Sequence, residues 1–80
     1  MYSITVKLSG IEDAKEFVKR ASECSFDVDL CYNKVVIDAK SILGVMSLDL
    51  RKILTVNMNG RDEAFESYLD KLHEAALEAA

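Results

Sequence analysis

A chain of 80 residues, half of them hydrophobic and 30% charged, with three glycines and no proline, has the composition of one globular domain and not of a disordered tail or a fibre. At this length folding buries about 60% of the surface that the unfolded chain exposes, enough for a single modest core. Ten Lys and Arg against fourteen Asp and Glu give a net charge of -4, which argues against general nucleic-acid binding, because neutralising phosphates needs basic surface.

The segment from Tyr2 to Leu8 alternates, with Ile4, Val6 and Leu8 on one face and Ser3, Thr5 and Lys7 on the other, as in a strand with one wet face. Ser9 and Glu12 are spaced as a capping box, in which each side chain satisfies a free backbone N–H at a helix start. Ile11, Ala14, Phe17, Val18 and Ala21 follow at helical spacing and predict an apolar stripe on a helix running to about Glu23. From Phe26 the period returns to two. Phe26, Val28, Leu30 and Tyr32 face one way, and Asp27, Asp29 and Cys31 the other.

Asn33 and Lys34 form a tight turn, since Asn tolerates positive φ, and Val35, Ile37 and Ala39 complete a hairpin. Ser41 is a suitable N-cap for a short helix to about Leu48. Lys52 to Met58 reads as a strand with Leu54, Val56 and Met58 inward, and Asn59 and Gly60 turn the chain. Asp62 and Glu63 suit the positive end of a last helix, whose buried stripe is Phe65, Leu69, Leu72 and Ala76. The order is β-α-β-β-α-β-α, and the fold expected is an α+β open-faced sandwich with three helices on one face of an antiparallel sheet.

Few residues offer chemistry. Cys24 and Cys31 form no CxxC pair and the only histidine is distant, so they read as free thiols in a reducing compartment. That histidine, His73, lies beside the Leu69–Leu72–Ala76 stripe and reads as a partly exposed helical side chain. Asp27 and Asp29 share a strand face and read as solubilising acids, not as ligands of a cation. Gly10, Gly44 and Gly60 are isolated, so there is no Gly-rich phosphate loop. No metal site and no cofactor are expected. No charged start leads into an apolar run, and no apolar run approaches the ~20 residues that cross a bilayer. The expectation is a cytoplasmic protein with no membrane partner.

The short helix after Ser41 is more informative. Ile42, Leu43, Val45, Met46 and Leu48 cannot all point inward on a helix of about two turns, so part of this set must form an exposed apolar patch of the kind that meets a partner. Met46 suits such a surface, being flexible and adaptable. A phosphate on Ser41 would sit at the helix N-terminus and close to Lys40.

Lys40 to Leu48, K-S-I-L-G-V-M-S-L, closely resembles the regulatory-serine segment of the HPr family, the histidine-containing phosphocarriers of the bacterial sugar phosphotransferase system. The likeness runs from about Ala21 to Gly60, and the order of strands and helices agrees over the full length. Membership implies a four-stranded antiparallel sheet in the order 1-4-2-3. The family carries G-I-H-A-R-P-A at the start of its first helix, where the His accepts phosphate from enzyme I and passes it to enzyme II domains, steadied by the Arg. Here the chain reads Gly10-Ile11-Glu12-Asp13-Ala14-Lys15-Glu16. Glu12 replaces the His or the His is deleted, the Arg and Pro are absent, and the loop is shorter.

In Gram-positive relatives the matching serine is modified by an ATP-dependent HPr kinase/phosphorylase, and the phosphoserine form binds a LacI-type catabolite control repressor. The resemblance implies the same role for Ser41, with Lys40, Ile42, Leu43, Val45, Met46 and Leu48 as the docking set. It is a resemblance to the Crh type of relative, which keeps the serine and lacks the catalytic His. The function implied is a regulatory or adaptor variant of the phosphotransferase system, not an enzyme, acting as a monomer or weak homodimer. The alternatives are an active phosphocarrier that uses another residue, or a diverged module that binds a ligand or self-associates.

Overall fold

A computed structural model of the chain describes residues 1–79. The elements are β1 (Tyr2–Val6), α1 (Ile11–Ser22), β2 (Val28–Tyr32), β3 (Val35–Asp38), α2 (Ile42–Met46), β4 (Leu54–Met58) and α3 (Glu63–Ala79). The strands form one antiparallel sheet in the order β1-β4-β2-β3, as the family resemblance implies. Val56 of β4 pairs with Ile4 on one side and Leu30 on the other, so β4 and β2 are central and β1 and β3 are edges.

Alternation sorts the sheet into two faces. Val6, Val28, Leu30, Leu54, Val56 and Met58 are fully buried under the helices, whereas Ser3 and Thr5 of the opposite face are exposed. The helices supply Ala14, Phe17, Ala21, Val45, Phe65, Leu69, Leu72 and Ala76 to the same core. Phe17 and Phe65 meet at 6.1 Å between ring centroids, which ties α1 to α3. Each fully buried side chain of the size of Leu or Phe contributes about 1.5–3 kcal/mol relative to exposure, so this one layer carries most of the stability.

Several local expectations change. The α1 cap is not a Ser9–Glu12 box. Gly10 occupies the N-cap with φ 147°, no side chain caps the helix, and Ser9 instead bonds Asp13. Ile11, assigned to the buried stripe, is 54% exposed, because the stripe begins one turn later at Ala14. The first strand ends at Val6. Beyond it the Lys7 N–H donates to the Leu72 carbonyl of α3 at 3.1 Å, which moves the chain off the sheet.

The second strand starts at Val28 and not at Phe26, whose ring covers Gly60; a Cβ there would lie 2.5 Å from the ring. The hairpin turn uses Asn33 at φ 53°. The third helix begins as its acids suggest, with the Asp62 carboxylate accepting the Phe65 N–H at 2.8 Å and Glu66 accepting the Asp62 N–H at 3.1 Å.

Candidate functional site: the face formed by α1 and α2

The helix α2 is five residues long and is fixed at both ends by serines. Ser41 is the N-cap, and its hydroxyl oxygen accepts the Gly44 N–H at 3.2 Å. Ser47 follows the last turn and donates its hydroxyl to the Gly44 carbonyl at 2.6 Å, which stops the helix short of Leu48. Gly44 lets this short helix sit directly on β3. A Cβ at that position would stand 2.6 Å from Cγ2 of Ile37.

This seating divides the docking set inferred from sequence. Leu43 is 83% exposed, Met46 41% and Ile42 37%. Val45 is completely buried, because it is the one residue of α2 that points into the core against α1 and the sheet. It is therefore a core residue, and its side chain is not available to a partner. Leu48 is half-buried and packs against the core. Lys40 is half-buried too, and its ammonium donates to the Cys24 carbonyl just past the C-terminus of α1 at 2.9 Å, so its charge is directed away from Ser41. Ser41 is half-buried, its N–H donates to the Asp38 carbonyl at 3.0 Å, and its hydroxyl is held by the Gly44 N–H.

α1 packs against α2. Its first turn holds Glu12, exposed and without a capping role, and Asp13, whose carboxylate accepts both the N–H and the hydroxyl of Ser9. A cleft of about 100 Å³ adjoins this turn, lined by Lys7, Leu8, Ser9, Gly10, Leu50 and Arg51. Sequence reasoning missed Arg51. It lies in an irregular loop where periodicity carries no information, and only the fold brings it to the α1 entry. Its guanidinium is engaged by Asp49 at 3.0 Å, and this hydrogen bond holds the Asp49 carboxyl down at about 2. Ile11 was also missed as a surface residue; it is exposed at the start of α1.

The remaining candidates lie elsewhere. His73 is on α3, half-buried, with Nδ1 2.8 Å from the Thr5 carbonyl and 3.2 Å from its hydroxyl. A donor is required opposite a carbonyl, so Nδ1 carries the proton in this tautomer. Cys24 is buried and free, and burial raises its thiol pKa; Cys31 is free and half-buried, and accepts from Nδ2 of Asn57 at 3.2 Å. Among the described residues no three His, Cys, Asp or Glu side chains converge as metal ligands, and no helix is long and apolar enough to cross a membrane.

A family model described as the PTS HPr component phosphorylation site matches residues 11–77. The chain belongs to the HPr family. The solved structure of HPr from Thermoanaerobacter tengcongensis superposes with a TM-score of 0.75 at 26% identity, covering 98% of this chain and 97% of that one. The histidine-containing phosphocarrier protein of Mycoplasma has the same fold, with a TM-score of 0.64 at 19% identity over 98% of this chain and 90% of that chain. The chain thus has the HPr open-faced sandwich at nearly full length, with carboxylates in the first turn of α1 and a capping serine at the start of α2.

Proposed function

We propose that this member of the HPr family is a regulatory or adaptor protein of the phosphotransferase system that does not carry phosphate, and that it docks partners through the face built by α1 and α2. The observation that carries the proposal is the pairing of an acidic α1 entry with an apolar α2. Glu12 and Asp13 occupy the turn where the resemblance places the phosphorylated His, and a phosphoryl dianion there would meet two carboxylates. Leu43, Met46 and Ile42 of α2, and Ile11 of that turn, nevertheless remain exposed. Such a set costs solubility and contributes little to the core, so a partner surface is the reading that accounts for it.

Ser41 is the regulatory residue of the proposal. A phosphate on its oxygen would add charge at the start of α2, where the Lys40 ammonium is already engaged by the Cys24 carbonyl, so the modification changes the surface that a partner reads. The partners in view are an HPr kinase/phosphorylase and a LacI-type catabolite control regulator, both proteins.

Incubation with HPr kinase/phosphorylase and ATP, read by intact mass, tests the regulatory part. One added phosphoryl group in the wild type, and none in Ser41→Ala, supports it. An unmodified wild type contradicts it.

A further inference from the structure

The strand β3 is one edge of the sheet. In the β2–β3 hairpin the Ala39 N–H donates to the Val28 carbonyl, and the register runs Asp29↔Asp38, Leu30↔Ile37, Cys31↔Val36 and Tyr32↔Val35. Hydrogen-bonded and non-hydrogen-bonded pairs alternate in an antiparallel ladder. Ile37 and Val35 therefore turn their backbone groups to β2, and Val36 and Asp38 turn theirs outward, where β3 has no neighbouring strand. The Asp38 carbonyl is used by the Ser41 N–H. The Asp38 N–H and both backbone groups of Val36 have no partner among the described residues.

The side chains along this edge are unusual for a solvent-facing strand. Val36 is 63% exposed and Val35 47%. Edge strands are ordinarily protected by charge, proline or a bulge, and two exposed β-branched residues at the centre of one invite another strand. The flanking charges identify which strand fits. Antiparallel pairing of β3 with a second β3 about Val36 sets Val36 opposite Val36, Val35 opposite Ile37, and Lys34 opposite Asp38, the last two contacts occurring twice by symmetry. The edge is thus its own electrostatic complement, with a valine pair at the centre and an opposite-charge pair at each end.

This registry also suits the backbone. An outward-facing central residue gives a hydrogen-bonded pair, so each Val36 exchanges N–H and C=O with its counterpart, and each Asp38 N–H reaches the Lys34 carbonyl across the interface. The Asp38 carboxylate already accepts the Lys40 N–H through Oδ1 at 2.9 Å, and Oδ2 accepts nothing among the described residues. α2 covers Ile37 from the core side through Gly44, whereas Val36 on the opposite face is exposed. We infer that β3 is a homodimerisation edge, joining two copies of this chain into a continuous eight-stranded sheet with isologous symmetry. This inference stands apart from the proposed function, since it uses neither Ser41 nor the exposed residues of α2.

Sedimentation equilibrium of the full chain up to about 1 mM, in low salt, tests it together with three variants. The wild type is expected to dimerise with increasing concentration. Val36→Lys, at an exposed position that leaves the core intact, is expected to stay monomeric with unchanged circular dichroism. Lys34→Glu is expected to weaken the dimer about tenfold by setting like charges at both ends, and adding Asp38→Lys is expected to restore it. Amide spectra followed on dilution are expected to move most at Val36 and Asp38. A wild type that stays monomeric, a dimer that survives Val36→Lys, or a double variant no tighter than Lys34→Glu would each overturn the inference.

Discussion

Ser9 donates both its backbone N–H, at 2.9 Å, and its hydroxyl, at 2.6 Å, to a single carboxylate oxygen of Asp13. The pair closes the entry loop of α1 where Gly10, at φ 147°, offers no side chain to cap it. Asp13 does the work that spacing alone assigned to Glu12. Asp13→Ala is therefore expected to lower stability by about 1 kcal/mol, in the range of a lost helix cap, and Glu12→Ala to change it by less than about 0.5 kcal/mol. Urea unfolding of the two variants distinguishes them.

Gly44 and Ile37 set how closely α2 lies on β3. An alanine at Gly44 gains helix propensity, worth about 1 kcal/mol, but its Cβ would stand 2.6 Å from a methyl on a stiff, β-branched side chain. Overpacking costs about 1–3 kcal/mol, so Gly44→Ala is expected to be net destabilising. Removing the obstructing methyl with Ile37→Ala is expected to relieve part of that cost. A double-mutant cycle on thermal or urea unfolding measures the coupling.

Much of the fold could be read from the chain. The alternation at Leu54, Val56 and Met58 and the stripe of Phe65, Leu69, Leu72 and Ala76 each specify one buried face, and all seven residues are buried. The docking set was legible only in part. A five-residue helix is too short for the 3.6-residue period to sort Ile42, Leu43, Val45 and Met46, so sequence reasoning assigned Val45 and Leu43 alike. Packing against the core separates them completely. Arg51 could not be placed at the α1 entry, since no periodicity orders the loop that carries it.

That separation gives a direct test. Val45→Ala, which leaves a small cavity in the core, is expected to cost about 2 kcal/mol. Leu43→Ser, at an exposed position, is expected to shift stability by less than about 0.5 kcal/mol while weakening any partner that reads α2. Chemical denaturation of the purified variants supplies both numbers.

Tyr68 is half-buried on α3, with the Arg20 guanidinium 4.6 Å above its ring. Burial, reinforced by the carboxylates of Asp13 and Glu16, pushes its hydroxyl up to about 12, whereas an unfolded tyrosine ionises near 10. A raised acid favours the neutral form in the folded state, so its contribution is complete below pH 10 and is lost as pH rises towards 12. Tyr68→Phe is expected to remove the highest step of the phenolate absorbance titration and to flatten the fall of stability over the same window.

The central claim is that this HPr-family chain does not carry phosphate, and phosphoenolpyruvate with enzyme I tests it most directly. Intact mass after incubation is expected to show no added phosphoryl group under conditions in which an HPr carrying the family histidine is fully labelled. The single histidine on α3 holds its Nδ1 against the Thr5 carbonyl, and the α1 entry presents carboxylates. An acid-labile phosphate on His73, or an acyl phosphate on Glu12 or Asp13, would contradict the account.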